Sequence, residues 1–109
     1  MDMEVTRFDI LLVALDPTIG SEIKKSRPAV VISPNEMNQH LNTIIIAPLT
    51  STIKKYPTRV EIHFENKTGE IALDQIRCVD KKRVIKKLGR IDARIEAKLC
   101  NVLQRMFAP

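Results

Sequence analysis

Two polar stretches abut strongly apolar ones in this sequence, and they hold the residues best suited to meet an anion. DPTIGSEIKKSR (16–27) carries Thr18, Ser21, Glu22 and Arg27 between two apolar runs, and TSTIKKYPT (50–58) opens on Thr50 and Ser51 directly after TIIIAPL. A guanidinium can grip two oxygens of one phosphate, and a neighbouring hydroxyl can add a hydrogen bond. Loops carried on a rigid sheet are where such binding groups tend to sit. Each residue also has a plainer role: Ser and Thr can satisfy loop backbone, and Arg27 can be a solvated charge where a strand begins. Spacing alone leaves the shared anion site and the plainer reading both open.

Other chemistries find little support. The three glycines, Gly20, Gly69 and Gly89, are isolated, so no glycine-rich phosphate loop is present. His40 and His63 lie in no metal-ligand spacing, and the carboxylates form no metal-binding cluster. Cys78 and Cys100 have no metal-like or CxxC spacing and read as reduced, partly buried thiols. Neither a metal nor another cofactor is expected.

The elements that must carry the polar stretches follow from apolar patterning. FDILLVAL (8–15) reads as a buried strand ended by Asp16-Pro17, and PAVVIS (28–33) as a second, with Pro28 tolerated at its first position. EMNQHLN (36–42) suits a short helical turn. TIIIAPL (43–49) is β-branched enough for a central strand, with pairing expected to stop or bulge at Pro48. RVEIHFE (59–65) alternates, with Val60, Ile62 and Phe64 on one face and Arg59, Glu61, His63 and Glu65 on the other, as in a half-exposed antiparallel strand. ENKTGE (65–70) reads as a hairpin loop, EIALDQIRCV (70–79) as one strand or two with a kink, DKKRV as a turn and IKKLGRI (85–91) as a last strand. From Asp92, the expected N-cap, Ile95, Leu99, Val102, Leu103 and Met106 mark an amphipathic helix. The expected fold is therefore mainly β with α (α+β), a small barrel or curled antiparallel sheet of five to seven strands with a C-terminal helix.

At 109 residues the chain suits a single domain over 1–109. No apolar run reaches the ~20 residues of a membrane span, and the acidic start MDMEVTRFD lacks a signal-peptide core. A soluble, cytoplasmic protein with no membrane partner is expected. The net charge of +5 is uneven: residues 1–50 hold four Lys/Arg against six Asp/Glu, and residues 51–109 hold fourteen against seven. That asymmetry fits a polyanion-binding face or a solvated lysine face equally.

Four ordered blocks carry a resemblance: DILLVALDPTIGSE (9–22), SRPAVVISP (26–34), IIIAPLTS (44–51) with YPTRV (56–60), and GEIALDQIR (69–77). Together they resemble the MazF/PemK family of toxin endoribonucleases from bacterial toxin–antitoxin pairs. One departure is Phe8, which precedes Asp9 where the family usually has glycine. The resemblance implies an SH3-like barrel with a C-terminal helix, a homodimer, and metal-independent cleavage of single-stranded RNA (mRNA) at short motifs. It also implies a cognate antitoxin whose extended tail covers the RNA groove. The family's catalytic Arg falls on Arg27 and its catalytic Ser/Thr on Thr50. Thr18, Gly20, Ser21, Glu22, Ser51, Asp74, Gln75 and Arg77 fall at or beside positions near the RNA. Some members use an Arg–Asp acid–base pair in the last block; Asp74 matches that Asp, but Ala72 stands where such members have Arg.

RNA carries its own nucleophile, the 2′-OH beside the scissile phosphate, so these residues need only align it and stabilise the added negative charge. A guanidine stays protonated at neutral pH, which favours an electrostatic role for Arg27 over proton transfer. Glu22 is then a candidate base or base-positioner, and Lys54, Lys55 and Arg59 are expected to flank the groove. The competing function is a non-enzymatic, gyrase-poisoning toxin of the same fold. Such proteins usually act through a Trp-Gly-Ile C-terminus, whereas this chain has no tryptophan and ends in RMFAP. A plain RNA-binding module is disfavoured by few aromatics, three Phe and one Tyr.

Overall fold

In the computed structural model, which describes residues 4–15 and 25–109, the apolar runs become strands because both of their faces are buried. The strands are β1 (Asp9–Ala14), β2 (Ser26–Val31), β3 (Thr43–Thr50), β4 (Arg59–Phe64), β5 (Lys67–Ala72), β6 (Arg77–Asp80) and β7 (Val84–Arg90). Helix α1 (Asn35–His40) links β2 to β3, and α2 (Ala93–Phe107) follows β7. They form one curled antiparallel sheet in the order β4-β5-β3-β2-β1-β7, with β6 also paired to β3. The expected α+β architecture and strand number are borne out.

Strand alternation divides the core in two. Leu11, Val13, Ala29, Val31, Ile44, Ile46 and Val79 pack together on one face of the sheet. Ile10, Val30, Ala47, Val60, Ile62 and Ile71 pack on the other, where Ile95, Leu99, Val102, Leu103 and Met106 of α2 cover them. This explains why β1 to β3 read as continuous apolar runs while β4, half-exposed, alternates. The Asp92 carboxylate accepts the Ile95 N–H at 2.9 Å, so the helix begins at the expected cap.

Strand β3 has different partners along its length. Its first half pairs with β6, from Thr43↔Asp80 to Ile46↔Arg77, and its last residues pair with β5 at Leu49↔Ile71 and Thr50↔Glu70. A 3₁₀ turn at Leu73–Gln75 separates β5 from β6, so EIALDQIRCV is two strands with a kink, and fully buried Leu73 plugs the bend. The expectation for Pro48 divides likewise. On the β2 side the ladder's last pair is Ala29↔Pro48, where proline has no N–H to donate, whereas on the β5 side pairing continues to Thr50.

The β4–β5 connection is tighter than the loop expected over 65–70. Phe64 pairs with Lys67, and Glu65 and Asn66 both have positive φ (52° and 63°), as a two-residue type I′ turn requires. Phe8 holds φ 74°, a left-handed conformation that favours glycine. Its N–H donates to the Val31 carbonyl at 2.8 Å, its ring packs on the core, and the Arg7 guanidinium lies 4.9 Å from the ring centroid. Packing thus sustains a side chain at a position whose backbone suits none. Cys78 is exposed rather than partly buried, because it alternates with inward-facing Val79, and Cys100 is half-buried. No helix among the described residues is long and apolar enough to cross a membrane.

Candidate active site

Arg27 opens β2 and Thr50 closes β3, so the two come together where the β2–β3 ladder frays. Continuing the register past Ala29↔Pro48 sets Pro28 across from Leu49 and Arg27 across from Thr50. Alternation puts Arg27 on the face of Ala29 and Val31, and Thr50 on the face of Ile44 and Ile46, which is the same face. Both line an open pocket of about 350 Å³. Pro28, Leu49, Ile62 and Phe64 give it an apolar lining, and Ser51, Thr52, Glu65, Lys67 and Thr68 a polar one. Arg27 is exposed and Thr50 half-buried, an arrangement open to a solvated anion.

The Thr50 hydroxyl is oriented from within its own loop. Its oxygen accepts the Thr52 N–H at 3.1 Å, which is compatible with its own hydrogen pointing to a substrate oxygen. The neighbouring strand approaches closely, since a Cβ added at Gly69 would lie 2.6 Å from the Thr50 carbonyl oxygen. An isolated glycine inside a strand is the sequence signal for such an approach. Because 65–70 reads as a loop in the sequence, that signal is masked there.

A network of ion pairs backs this corner. The Glu70 carboxylate accepts the N–H groups of Lys54 (3.1 Å) and Lys55 (3.0 Å) and pairs with Arg59 Nη1 at 3.1 Å. Arg59 also grips Asp74 in a fork, Nε to Oδ1 at 2.7 Å and Nη2 to Oδ2 at 3.3 Å, and Thr58 Oγ1 donates to the same Oδ1 at 2.9 Å. The Tyr56 ring lies 5.1 Å from the guanidinium carbon. The Arg59 and Glu70 side chains are only 6% and 4% exposed. Arg59 therefore does not flank a groove; its stem is enclosed and its donors are taken by carboxylates. Lys54 and Lys55 are exposed but do not line the pocket.

The charge states follow from these contacts. Hydrogen bonding to Asp74, opposed by burial and reinforced by Glu70, raises Arg59 above its ordinary value. Burial pushes Glu70 up, but the Lys54 and Lys55 amides and Arg59 outweigh it and leave the carboxyl below its ordinary value. Arg59 foremost, with Thr58, likewise depresses Asp74 against a smaller opposing effect of burial. The network is thus fully ionised at neutral pH.

The remaining candidate residues are spread along the chain. Ser51 is exposed in the pocket beside Thr50. Asp74 and Gln75 lie in the 3₁₀ turn and Arg77 opens β6, all exposed, but none of the three lines the pocket. Asp74 meets an arginine after all: Ala72 is buried, and Arg59, its cross-strand neighbour, supplies the guanidinium from β4. Thr18, Gly20, Ser21 and Glu22 lie outside the described residues. His63 is on the exposed face, as expected, with Nδ1 2.9 Å from Thr68 Oγ1.

Comparison with known proteins agrees with this fold. Residues 6–107 match the family model described as PemK-like, MazF-like toxin of type II toxin–antitoxin system. Endoribonuclease EndoA of Bacillus subtilis (strain 168) is 35% identical over 112 residues, which cover 97% of this chain and 97% of that protein. A MazE–MazF structure (Form-II) from Deinococcus radiodurans has a TM-score of 0.81 at 25% identity, covering 96% of each chain. An endoribonuclease in complex with its cognate antitoxin from a mycobacterial species has a TM-score of 0.82 at 21% identity, covering 96% of this chain and 97% of that one. With a family match over nearly its whole length and a homologue of this identity, the chain belongs to the PemK-like, MazF-like toxins of type II toxin–antitoxin systems.

Proposed function

We propose that this family member is an endoribonuclease that cleaves single-stranded RNA at short motifs without a metal ion. The observation that carries the reading is the meeting of Arg27 and Thr50 across the frayed end of the β2–β3 ladder, at one open pocket. The 2′-oxygen attacks the adjacent phosphorus while the bond from phosphorus to the 5′-oxygen breaks. The proton lost from the 2′-OH passes to a base, the departing 5′-oxygen takes up a proton, and the products are a 2′,3′-cyclic phosphate and a 5′-OH. No water is consumed.

Arg27 stabilises the phosphorane, its fork matching two equatorial oxygens. Thr50 donates one further hydrogen bond. An A-form duplex resists in-line alignment of the 2′-OH, so the substrate is single-stranded, and the apolar lining of the pocket suits an unstacked base. Ser51, Asp74, Gln75 and Arg77 are assigned to the RNA path together with Thr18, Gly20, Ser21 and Glu22, with Glu22 the candidate base or base-positioner. Asp74 takes part through the Arg59 pair that occupies its oxygens.

The name of the B. subtilis relative, Endoribonuclease EndoA, supports RNA cleavage over gyrase poisoning. The MazE–MazF and toxin–antitoxin structures among similar folds support a cognate antitoxin as partner. The reading includes a homodimer acting in the cytoplasm. Its test is Arg27→Ala on a defined single-stranded RNA. Cleavage should fall by ~10²–10³ or more while the circular dichroism spectrum and melting temperature stay as in the parent protein. Unchanged cleavage by the folded variant would sink the assignment.

A further inference from the structure

We propose that Glu70 is a positioning residue for the Thr50 site: its carboxylate holds the loop after Thr50 on the one path that orients the Thr50 hydroxyl. The inference rests on the reading of Thr50 as a catalytic donor. Glu70 is the cross-strand partner of Thr50, so it lies at the base of the loop that Thr50 begins. Its buried carboxylate reaches along the loop and takes the N–H groups of Lys54 and Lys55, one on each oxygen. Lys55 holds φ 57°, a left-handed conformation for a residue with a side chain, and the bond to Glu70 secures it there.

With Thr50 fixed in β3 and Lys54 and Lys55 fixed by Glu70, only Ser51, Thr52 and Ile53 remain to span the gap. Within that short span the Thr52 N–H meets Thr50 Oγ1 at 3.1 Å. Ser51 and Thr52 line the pocket with Arg27. The connection from Glu70 to the reacting corner is therefore continuous: carboxylate, two loop amides, the turn, the Thr52 N–H, the Thr50 hydroxyl. Arg59 sits behind Glu70, and Asp74 and Thr58 hold Arg59 in turn. The pair that resembles an acid–base couple is, on this account, the back support of a clamp.

Glu70→Gln keeps the shape of the side chain but removes the charge that pairs with Arg59 and puts an NH₂ donor where one loop amide needs an acceptor. A merely structural Glu70 would affect stability, with no special relation to Thr50. A positioning Glu70 should lower kcat at least ~10-fold, since sub-ångström misplacement is costly, with KM changed less than about threefold. In a Thr50→Ala background the same substitution should change the residual rate by less than about threefold, because the group it positions is gone. Full additivity of the two losses, or an unchanged kcat for Glu70→Gln, would overturn the proposal.

Amide hydrogen exchange of the parent protein decides the matter even if Glu70→Gln does not fold. The Lys54 and Lys55 amides should exchange at least ~10-fold more slowly than that of Ile53, as expected of amides bonded to a buried acceptor. Equal exchange across 53–55 would overturn the clamp. A parent protein that cleaves no RNA would refute the nuclease reading, and the exchange result would then judge the clamp by itself.

Discussion

Replacing Gly69 by alanine should slow RNA cleavage by about 100-fold in a protein that still folds. The added Cβ would stand 2.6 Å from the Thr50 carbonyl oxygen, 3.5 Å from the Thr50 carbonyl carbon and 3.9 Å from Ser51 Cα. Ordinary contact begins at 3.4 Å, so the backbones must part by about 0.8 Å, and neither neighbour is a flexible side-chain end. The displacement falls on the residue opposite Arg27, and a misplacement of this size can cost about 10²-fold in rate. Overpacking of this kind costs ~1–3 kcal/mol of stability, which a domain of this size survives. The assay is kcat and KM on a fluorogenic single-stranded RNA, beside thermal melting. Gly89→Ala is the matched control, since among the described residues its Cβ would meet only Phe64 Cε1 at 4.0 Å, and it should cleave at the parental rate. A folded Gly69→Ala protein within twofold of the parent in kcat would refute the claim that Thr50's backbone must stay where it is.

Further outcomes can be checked on the same protein. Arg27→Lys keeps the charge but loses the fork, and it should still lose about 10²-fold of the cleavage rate. The Glu70 and Asp74 carboxyls are depressed by their partners, so their stabilisation is fully present above the ordinary values of 4.5 and 3.8 and is lost as pH falls through their lower folded values. Melting temperature should therefore drop below about pH 4.5, and the drop should be shallower in Glu70→Gln. Asp92→Ala removes the acceptor of the Ile95 N–H and should cost ~1 kcal/mol in denaturant unfolding while leaving the cleavage rate unchanged.

Much of this arrangement is legible in the sequence because burial imprints on periodicity. The doubly buried runs of β1 to β3, the alternation of β4 and the apolar stripe of α2 all appear as residue spacing. Arg27 and Thr50 are legible as candidates because strand ends beside polar loops are few, and the ordered blocks of the family pair them. What spacing hides is side-chain destination. Alternation puts Arg59 on the outer face with Glu61 and His63, yet its head is enclosed between Glu70 and Asp74 at 6% exposure. Its cross-strand neighbour is the small Ala72, which leaves room for a long side chain to lie flat. Glu70 reads as a polar residue at a strand start, and only the fold brings it under the amides of Lys54 and Lys55. The turn at Glu65-Asn66 is hard to place from sequence because it lacks the glycine that usually marks a type I′ hairpin.

On the proposed reading, Arg27 and Thr50 promote attack by the RNA's own 2′-OH with no metal ion. The most direct measurement is end-group analysis of a long single-stranded RNA incubated with the parent protein and with Arg27→Ala in excess EDTA. The parent protein should leave 5′-OH and 2′,3′-cyclic phosphate ends at recurring short motifs, and the variant none above background. Ends bearing 5′-phosphate, cleavage abolished by EDTA, or equal cutting by the two proteins would contradict that reading.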